Sequence, residues 1–176
     1  MDSPGRGRGR RGPSPGGTRR FVGRASSDDV RGTSVIAVDT NVLVYAHRRD
    51  SAFHLAAASR VRELAEGRAP WAIPWPCVHE FFSVVTHPRI YAPPSTAEQA
   101  IDQIEAWLAS PSLVTLGEGT GYWDALRPML MEGKIAGPLV HDGRIAALCV
   151  AHGVRELWTV DRDFSRFSGL SIRNPL

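Results

Sequence analysis

The feature that most constrains the fold is an alternation of short apolar runs with longer helical segments. The run from Ser34 to Val38 is typical of a buried strand in a parallel sheet. Three further strands are predicted at residues 71–73, 113–115 and 157–159, and residues 170–172 are the candidate for a fifth. Strands that alternate with helices predict a parallel sheet covered on both faces, with ligands bound beyond the carboxyl ends of the strands.

The helices between these strands are predicted from the signals at their ends. Asp39 is expected to cap the first helix, and Asp142 to open the last one. Residues 95–98, Ser-Thr-Ala-Glu, predict a capping box. The helical segments are predicted over residues 40–46, 53–66, 76–86, 96–109, 120–131 and 142–152.

The N-terminal residues 1–33 differ in composition from the rest of the chain. They are rich in Gly, Arg, Pro and Ser and hold eight Arg and three Asp, a charge of +5, whereas residues 34–176 carry −2. So few apolar side chains predict a disordered extension, followed by one folded domain over residues 34–176. The extension is either an RNA-binding arm, a solvated leader or the product of a start codon placed too far upstream.

Cysteine content and hydropathy limit where the protein works. Cys77 and Cys149 are far apart in the sequence and form no Cys-x-x-Cys motif. Neither a zinc site nor a disulfide framework is indicated, and a reducing, cytoplasmic setting is expected. No apolar run is long enough to span a bilayer, and no secretory signal is evident.

Four acidic residues stand out, although each has an ordinary structural explanation. Asp39 and Asp142 are possible helix caps, Asp161 and its neighbour Asp163 are possible turn residues, and Glu80 is a possible solvated helix residue. The predicted fold nevertheless brings Asp39, Asp142 and Asp161 towards one edge of the sheet. Glu80 lies in an apolar helical stretch, where a carboxylate is costly unless it is paired or bound to a metal.

Carboxylates that converge in one cleft raise one another's pKa values, and a divalent cation removes that conflict. An all-oxygen acidic site favours Mg²⁺, or Mn²⁺, over zinc. The sequence therefore predicts a divalent cation among these acids.

Three motifs in their order resemble those of PIN domains. Residues 36–46, IAVDTNVLVYA, resemble the opening motif, residues 141–148 resemble the helix with the third acid, and residues 158–164 resemble the closing T-x-D-x-D-F element. Glu80 falls where the second acid is expected. The resemblance covers about residues 35–176, and the single-domain size is similar to the toxin component of VapBC toxin–antitoxin pairs.

The resemblance implies a role for each acid. Asp39 and Asp142 would be the principal Mg²⁺ ligands. Glu80 and Asp161 would complete the catalytic pocket by binding a second ion or orienting the attacking water. Asp163 would support the metal or the loop.

The resemblance also implies a fold and a function. The fold would be a three-layer α/β/α domain with a short parallel sheet of four to five strands. The activity would be Mg²⁺-dependent endoribonuclease cleavage by a toxin, with a VapB-like antitoxin as partner in a hetero-oligomer and the toxin itself as a homodimer. Beside the acids, three polar residues would contact the ligands or the phosphate: Thr40, Asn41 and Thr159.

Two other functions stay open at this stage. One is a housekeeping PIN nuclease in RNA processing or DNA cleavage, and the other is a catalytically silent RNA-binding or interaction module. A His-Asp phosphohydrolase is disfavoured because the remaining histidines show no ligand spacing. Trp71 and Trp75 flank prolines, and one of them is the best candidate for an exposed, base-stacking ring. The candidates for phosphate contacts are Arg48, Arg49, Arg89, Arg144, Arg162 and Arg166.

Overall fold

A computed structural model of the chain describes residues 35–132 and 135–176. The predicted N-terminal extension and the predicted domain boundary lie outside these residues. Within them, no helix is both long and apolar enough to cross a membrane.

Strands and helices alternate along the described chain, as the sequence predicts. The strands are β1 (Ile36–Val38), β2 (Trp71–Pro74), β3 (Leu113–Leu116), β4 (Glu156–Trp158) and β5 (Ser171–Arg173). The α-helices are α1 (Thr40–His47), α2 (His54–Glu66), α3 (Trp75–Val85), α4 (Ala97–Leu108), α5 (Tyr122–Glu132) and α6 (Leu139–Ala151). A short 3₁₀ helix (Arg162–Arg166) connects β4 to β5.

The strands form one sheet in the order β3-β2-β1-β4-β5, and every neighbouring pair is parallel. The connections from β1 to β2 and from β2 to β3 run in one direction, whereas the connection from β3 to β4 returns past β1. Because such crossovers are right-handed, α1 to α4 cover one face of the sheet and α5 and α6 cover the other. The predicted three-layer α/β/α fold is confirmed, with five strands.

The order of the strands reverses between β1 and β4, and ligands of open parallel sheets bind at such a switch point. The two strands are held in register by the pairs Ala37 with Leu157 and Val38 with Trp158. Ala37, Val38 and Leu157 are fully buried in the core. The carboxyl ends of β1 and β4 are therefore held side by side.

Two predicted helix caps are wrong. The last helix begins at Leu139, so Asp142 lies within its first turn and does not cap it. Pro138 precedes this helix with a φ of −58°. Proline is compatible with a helix start because the N–H that it lacks has no partner there, and the helix thus begins before its acidic residue.

The capping box lies one residue later than predicted. The Thr96 hydroxyl accepts a hydrogen bond from the Gln99 N–H at 3.2 Å, and the Gln99 side chain accepts one from the Thr96 N–H at 2.9 Å. Ser95 instead lies 2.9 Å from the His47 ring, through Oγ and Nε2. The Ser95 hydroxyl thus contacts the last residue of α1 and does not cap α4.

Candidate active site

Asp39 stands at the switch point of the sheet, directly after β1. Its N–H donates to the Trp158 carbonyl at 3.0 Å, which continues the pairing of β1 with β4 by one residue. Its side chain caps α1 by accepting a 2.7 Å hydrogen bond from the Thr40 N–H. The predicted cap is confirmed, and it fixes the direction of the carboxylate.

A hydrogen-bond network holds the second oxygen of Asp39. Oδ2 accepts from Asn41 Nδ2 at 2.6 Å and from Thr159 Oγ1 at 2.7 Å. Asn41 Nδ2 also donates to Thr159 Oγ1 at 2.9 Å, and Asn41 Oδ1 accepts from the Val160 N–H at 3.2 Å. Thr159 Oγ1 further accepts from the Asp161 N–H at 3.0 Å. Both predicted supporting residues thus orient Asp39 and tie it to the chain after β4.

The burial of Asp39 makes its charge costly. Its side chain is nearly inaccessible, and desolvation raises the pKa of the carboxyl from an ordinary 3.8 to about 6. Hydrogen bonds from Thr159 and Thr40 lower the pKa, while the nearby charges of Glu80 and Asp142 raise it. The site is therefore prepared for a proton or a cation at this carboxylate.

Cys77 is a site residue that the sequence analysis missed. Its thiol donates a weak hydrogen bond to Asp39 Oδ1, with 3.7 Å between sulfur and oxygen. Full burial, and then the charge of Asp39, raise the pKa of this thiol. Apolar neighbours in the sequence hid this role, and the only available signal was the place of Cys77 in the first turn after a strand.

Glu80 joins the site from the outer face of α3. Its carboxylate Oε2 accepts a 2.7 Å hydrogen bond from Thr40 Oγ1. The expectation of an apolar setting is wrong, because Glu80 is exposed whereas Val78 and Phe81 are buried. Helical periodicity decides burial here, since a residue with apolar neighbours in the sequence still lies on the polar face.

Asp142 reaches the same region from the first turn of α6 and is half-buried. Desolvation raises its pKa, and the charges of Asp161, Glu80 and Asp163 raise it further, against a smaller opposite effect from His141. Asp142 thus lies within electrostatic reach of the other predicted acids. A helix N-terminus is also a favourable place for its negative charge.

Asp161 and Asp163 have different partners, which the sequence could not tell apart. Asp161 caps the 3₁₀ helix by accepting a 2.8 Å hydrogen bond from the Asp163 N–H. The Asp163 carboxylate pairs with Arg166 at 2.6 Å. Both acids are exposed. Asp163 is therefore paired with an arginine and Asp161 is a capping residue, and the charges of both raise the pKa of Asp142.

The donor chemistry of this site fits a hard divalent cation. Carboxylates from three separate elements lie within electrostatic reach of one another, and oxygen is the ligand that Mg²⁺ prefers. In the described ranges, no three Asp, Glu, His or Cys side chains are close enough to form a finished ligand set. The charges of Glu80 and Asp142 near Asp39 nevertheless supply the negative charge that a cation would neutralise.

Several arginines proposed for phosphate contacts are occupied within the protein. Arg48 is buried and binds both oxygens of Asp50, at 2.9 and 2.6 Å. Arg144 pairs with Glu118 at 2.6 Å. The structure thus disfavours Arg48 as a phosphate contact, because its buried guanidinium binds Asp50 and the Pro93 carbonyl.

Comparison with known proteins agrees with this geometry. The family model described as PIN domain matches residues 36–170. The chain belongs to the PIN domain family. That match begins at β1 and contains all of the predicted acids, so the resemblance seen in the sequence is confirmed.

Curated relatives of this PIN domain are ribonucleases by name. It is 36% identical over 137 residues to "Ribonuclease VapC48" of Mycobacterium tuberculosis, covering 78% of this chain and 94% of the relative. It is 32% identical over 142 residues to "VapC ribonuclease Mb2897" of Mycobacterium bovis, covering 81% and 96%. The match thus extends over almost the whole of each relative.

Solved structures share the fold of this PIN domain. M. tuberculosis VapC20, described as a sarcin-ricin loop cleaving toxin, superposes with a TM-score of 0.58 and 15% identity, over 78% of this chain and 98% of that one. VapBC2 of Rickettsia felis, solved with a promoter DNA fragment, gives a TM-score of 0.56 and 21% identity, over 79% and 97%. At these identities the likeness supports the architecture alone.

Proposed function

We propose that this PIN domain is a Mg²⁺-dependent endoribonuclease that acts as the toxin of a type II toxin–antitoxin pair. The observation that carries the proposal is the cluster of coupled carboxylates around Asp39 at the switch point of the sheet. Such a cluster is unfavourable for stability alone, because burial and neighbouring negative charges raise the pKa values of Asp39 and Asp142. It becomes favourable when a cation and a phosphate bind there.

Asp39 and Asp142 are the proposed principal Mg²⁺ ligands, with Glu80 and Asp161 completing the pocket. Among the residues that the structure describes, Asp39 Oδ1 accepts only the Thr40 N–H and the weak Cys77 thiol bond, so this oxygen retains capacity for a ligand. Oδ2 is already used by Asn41 and Thr159. The network therefore leaves Oδ1 of Asp39 with acceptor capacity for a ligand and immobilises Oδ2.

A bound Mg²⁺ would supply a water of lowered pKa and would stabilise charge on the scissile phosphate. The side chains of the protein orient the acids of the site. Thr40 holds Glu80 above the site, where its exposed carboxylate is placed to accept a proton or orient a water. Thr159 and Asn41 keep Asp39 in one rotamer. A metal ion that supplies the water, together with side chains that hold the acids in place, fits in-line cleavage of an RNA phosphodiester bond.

The toxin role rests on the relatives. VapC48 is named a ribonuclease, and structural neighbours include complexes named VapBC and FitAcB. We therefore propose a VapB-like antitoxin as the partner, a homodimer of the toxin within a hetero-oligomer, and the cytoplasm as the location. A housekeeping PIN nuclease and a silent binding module are the alternatives that the experiment below must exclude.

The deciding experiment measures cleavage of total RNA and growth arrest for the wild type and for Asp142→Asn. Asp124→Asn is the matched control, since Asp124 is also in the first turn of a helix but is exposed on α5. We expect Mg²⁺-dependent cleavage that falls at least a hundredfold in Asp142→Asn and not in Asp124→Asn. Cleavage that survives EDTA, or equal activity of all three proteins, would show that the metal site is wrong.

Two further experimental results would distinguish the alternatives. Cleavage without growth arrest would favour a housekeeping nuclease, and RNA binding without cleavage would favour a silent module.

Deleting residues 1–33 should leave cleavage unchanged. A large loss on deletion would instead identify the N-terminal extension as an RNA-binding arm.

A further inference from the structure

Trp75 is a large aromatic residue that the protein leaves partly exposed beside the acids. Its side chain is 38% exposed, whereas Trp71, Trp107 and Trp158 are buried. Trp75 is the first residue of α3, and it directly follows β2 at the carboxyl edge of the sheet. The flanking prolines at 74 and 76 restrict the backbone there, so the ring is held on a stiff segment.

Trp75 and Asp39 directly follow the carboxyl ends of two neighbouring strands. The parallel strands β1 and β2 are paired through Ala37 and Ala72, and they end at Val38 and Pro74. Cys77, two residues after Trp75, contacts Asp39 through its thiol. The first turn of α3 therefore carries both the exposed indole and a contact with the buried acid of the site.

His79 extends this aromatic surface towards Glu80. The His79 and Trp75 rings lie one helical turn apart on α3, with centroids separated by 6.0 Å and planes inclined by 31°. His79 is exposed and immediately precedes Glu80, whose carboxylate is held by Thr40. The pair thus places two neighbouring, exposed rings on α3, in the turn that leads to a predicted catalytic acid.

The loop after β3 passes close to Trp75. A Cβ at Gly117 would lie 3.6 Å from Cδ1 of Trp75, so the glycine brings the backbone next to the ring without covering it with a side chain. The Gly117 carbonyl lies 2.8 Å from the ring of His152, and the next residue, Glu118, pairs with Arg144 of α6. This loop is thus attached to the helix that carries Asp142.

We propose that Trp75, extended by His79, is the stacking platform for an unpaired base next to the scissile phosphate. This inference rests on the proposed ribonuclease function and names its substrate class, a single-stranded segment or loop of RNA. Stacking accepts any base, because every base has a π-face, and the faces of bases inside a duplex are already covered. The acidic pocket repels the RNA backbone, so a contact with the base adjacent to it supplies attraction without added positive charge.

The test uses the full chain with Asp142→Asn, which we expect to cut RNA at least a hundredfold more slowly, in the presence of Mg²⁺. The probes are a random-sequence single-stranded 30-mer RNA, the same RNA annealed as a duplex, and an abasic-spacer oligomer of equal length and charge. To this parent we add Trp75→Ala, Trp75→Phe and the control Trp123→Ala. Trp123 is 59% exposed on α5 and contributes no ring to the platform.

We expect Trp75→Ala to weaken binding of the single strand about tenfold, as loss of one stacked base predicts. Trp75→Phe should keep most of the affinity, and Trp123→Ala all of it. On the abasic oligomer and on the duplex, Trp75→Ala and the parent should bind alike. Circular dichroism melting of each variant verifies that the fold is retained.

Four results would overturn the proposal. They are no measurable binding of the 30-mer by the parent, unchanged affinity in Trp75→Ala, an equal loss in Trp123→Ala, and an equal loss on the abasic oligomer. Cleavage of total RNA by the wild-type protein is measured in parallel. Absence of cleavage would refute the ribonuclease function, while the difference between base-containing and abasic probes still decides whether the platform exists.

Discussion

The hydroxyl of Thr40 donates a 2.7 Å hydrogen bond to the carboxylate of Glu80, and this bond joins the start of α1 to the outer face of α3. Thr40 is buried, whereas Glu80 is exposed. The N–H of the same Thr40 donates to Asp39. One residue therefore sets the distance between a buried acid and a solvent-facing acid of the site.

Thr40→Val should separate the positioning role of this hydroxyl from its structural role. Glu80 is free to bond with water once the hydroxyl is gone, so the free energy of unfolding should fall by less than about 1 kcal/mol. RNA cleavage should fall about tenfold, because Glu80 loses its orientation. Thr40→Ser keeps the hydroxyl and should retain most of the activity. Initial rates and urea unfolding measure both effects, and a fully active Thr40→Val protein would exclude the positioning role.

The raised pKa of Asp39 predicts a specific pH dependence of stability in the cation-free protein. Its folded-state pKa of about 6 lies above the ordinary 3.8, so its favourable contribution is complete below 3.8 and is lost as the pH rises through 6. The reference is Asp39→Ala, which lacks this titrating group, so that subtracting its unfolding free energy cancels the contributions of the other groups. Between pH 4 and pH 7, the unfolding free energy of the wild type should fall relative to that of Asp39→Ala by about 2–3 kcal/mol.

That pH experiment uses urea unfolding in EDTA at fixed ionic strength. Added Mg²⁺ should stabilise the wild type more at pH 7.5 than at pH 5, because a cation binds the deprotonated carboxylate. A constant difference between the two proteins across the pH range would mean that Asp39 titrates normally. It would remove the argument that this carboxylate is poised for a cation.

The two thiols should be unreactive in the folded protein. Cys77 and Cys149 are both fully buried, and burial raises the pKa of Cys149 to about 12 and that of Cys77 as well. A thiolate is needed for reaction, so Ellman's reagent at pH 8 should detect almost no thiol in native protein. In urea it should detect both cysteines of the sequence. Rapid labelling of the native protein would show that the region around these two cysteines opens to solvent.

Arg48 should act on stability and not on RNA binding. Besides Asp50, its guanidinium binds the Pro93 carbonyl at 3.2 Å and lies 4.0 Å from the ring centre of Tyr91. Arg48→Ala removes these contacts between α1 and the loop before α4, and should lower the melting temperature by roughly 5 °C. Arg48→Lys should also be destabilised, because an ammonium cannot replace the planar fork.

The RNA readout distinguishes the two roles of Arg48. Cleavage per folded molecule, and its dependence on salt, should match the wild type at a temperature where Arg48→Ala is folded. Arg49, the exposed neighbour, is the matched control. A weaker salt dependence in Arg48→Ala than in Arg49→Ala would instead indicate a phosphate contact.

Local sequence signals predicted the layers of the fold and the cap at Asp39 correctly. Apolar runs such as residues 36–38 match the short strands, since a strand buried on both faces needs side chains that are apolar throughout. The start of α6 at Leu139 and the cap at Thr96 were misplaced by one to three residues. Such ends depend on which of several adjacent polar groups finds a tertiary partner.

What the sequence by itself determined is the order of strands and helices and the set of acids that the topology brings to one edge. What only the tertiary structure decided is the environment of each acid. Asp39 is buried against Cys77, and Glu80 is exposed and held by Thr40. Apolar patterning and end signals act over a few residues and are readable in the chain. Burial, pKa and partner choice at these acids depend on contacts between residues 38 to 120 positions apart, such as Asp39 with Cys77, Thr40 with Glu80 and Asp39 with Thr159, which exist only after folding.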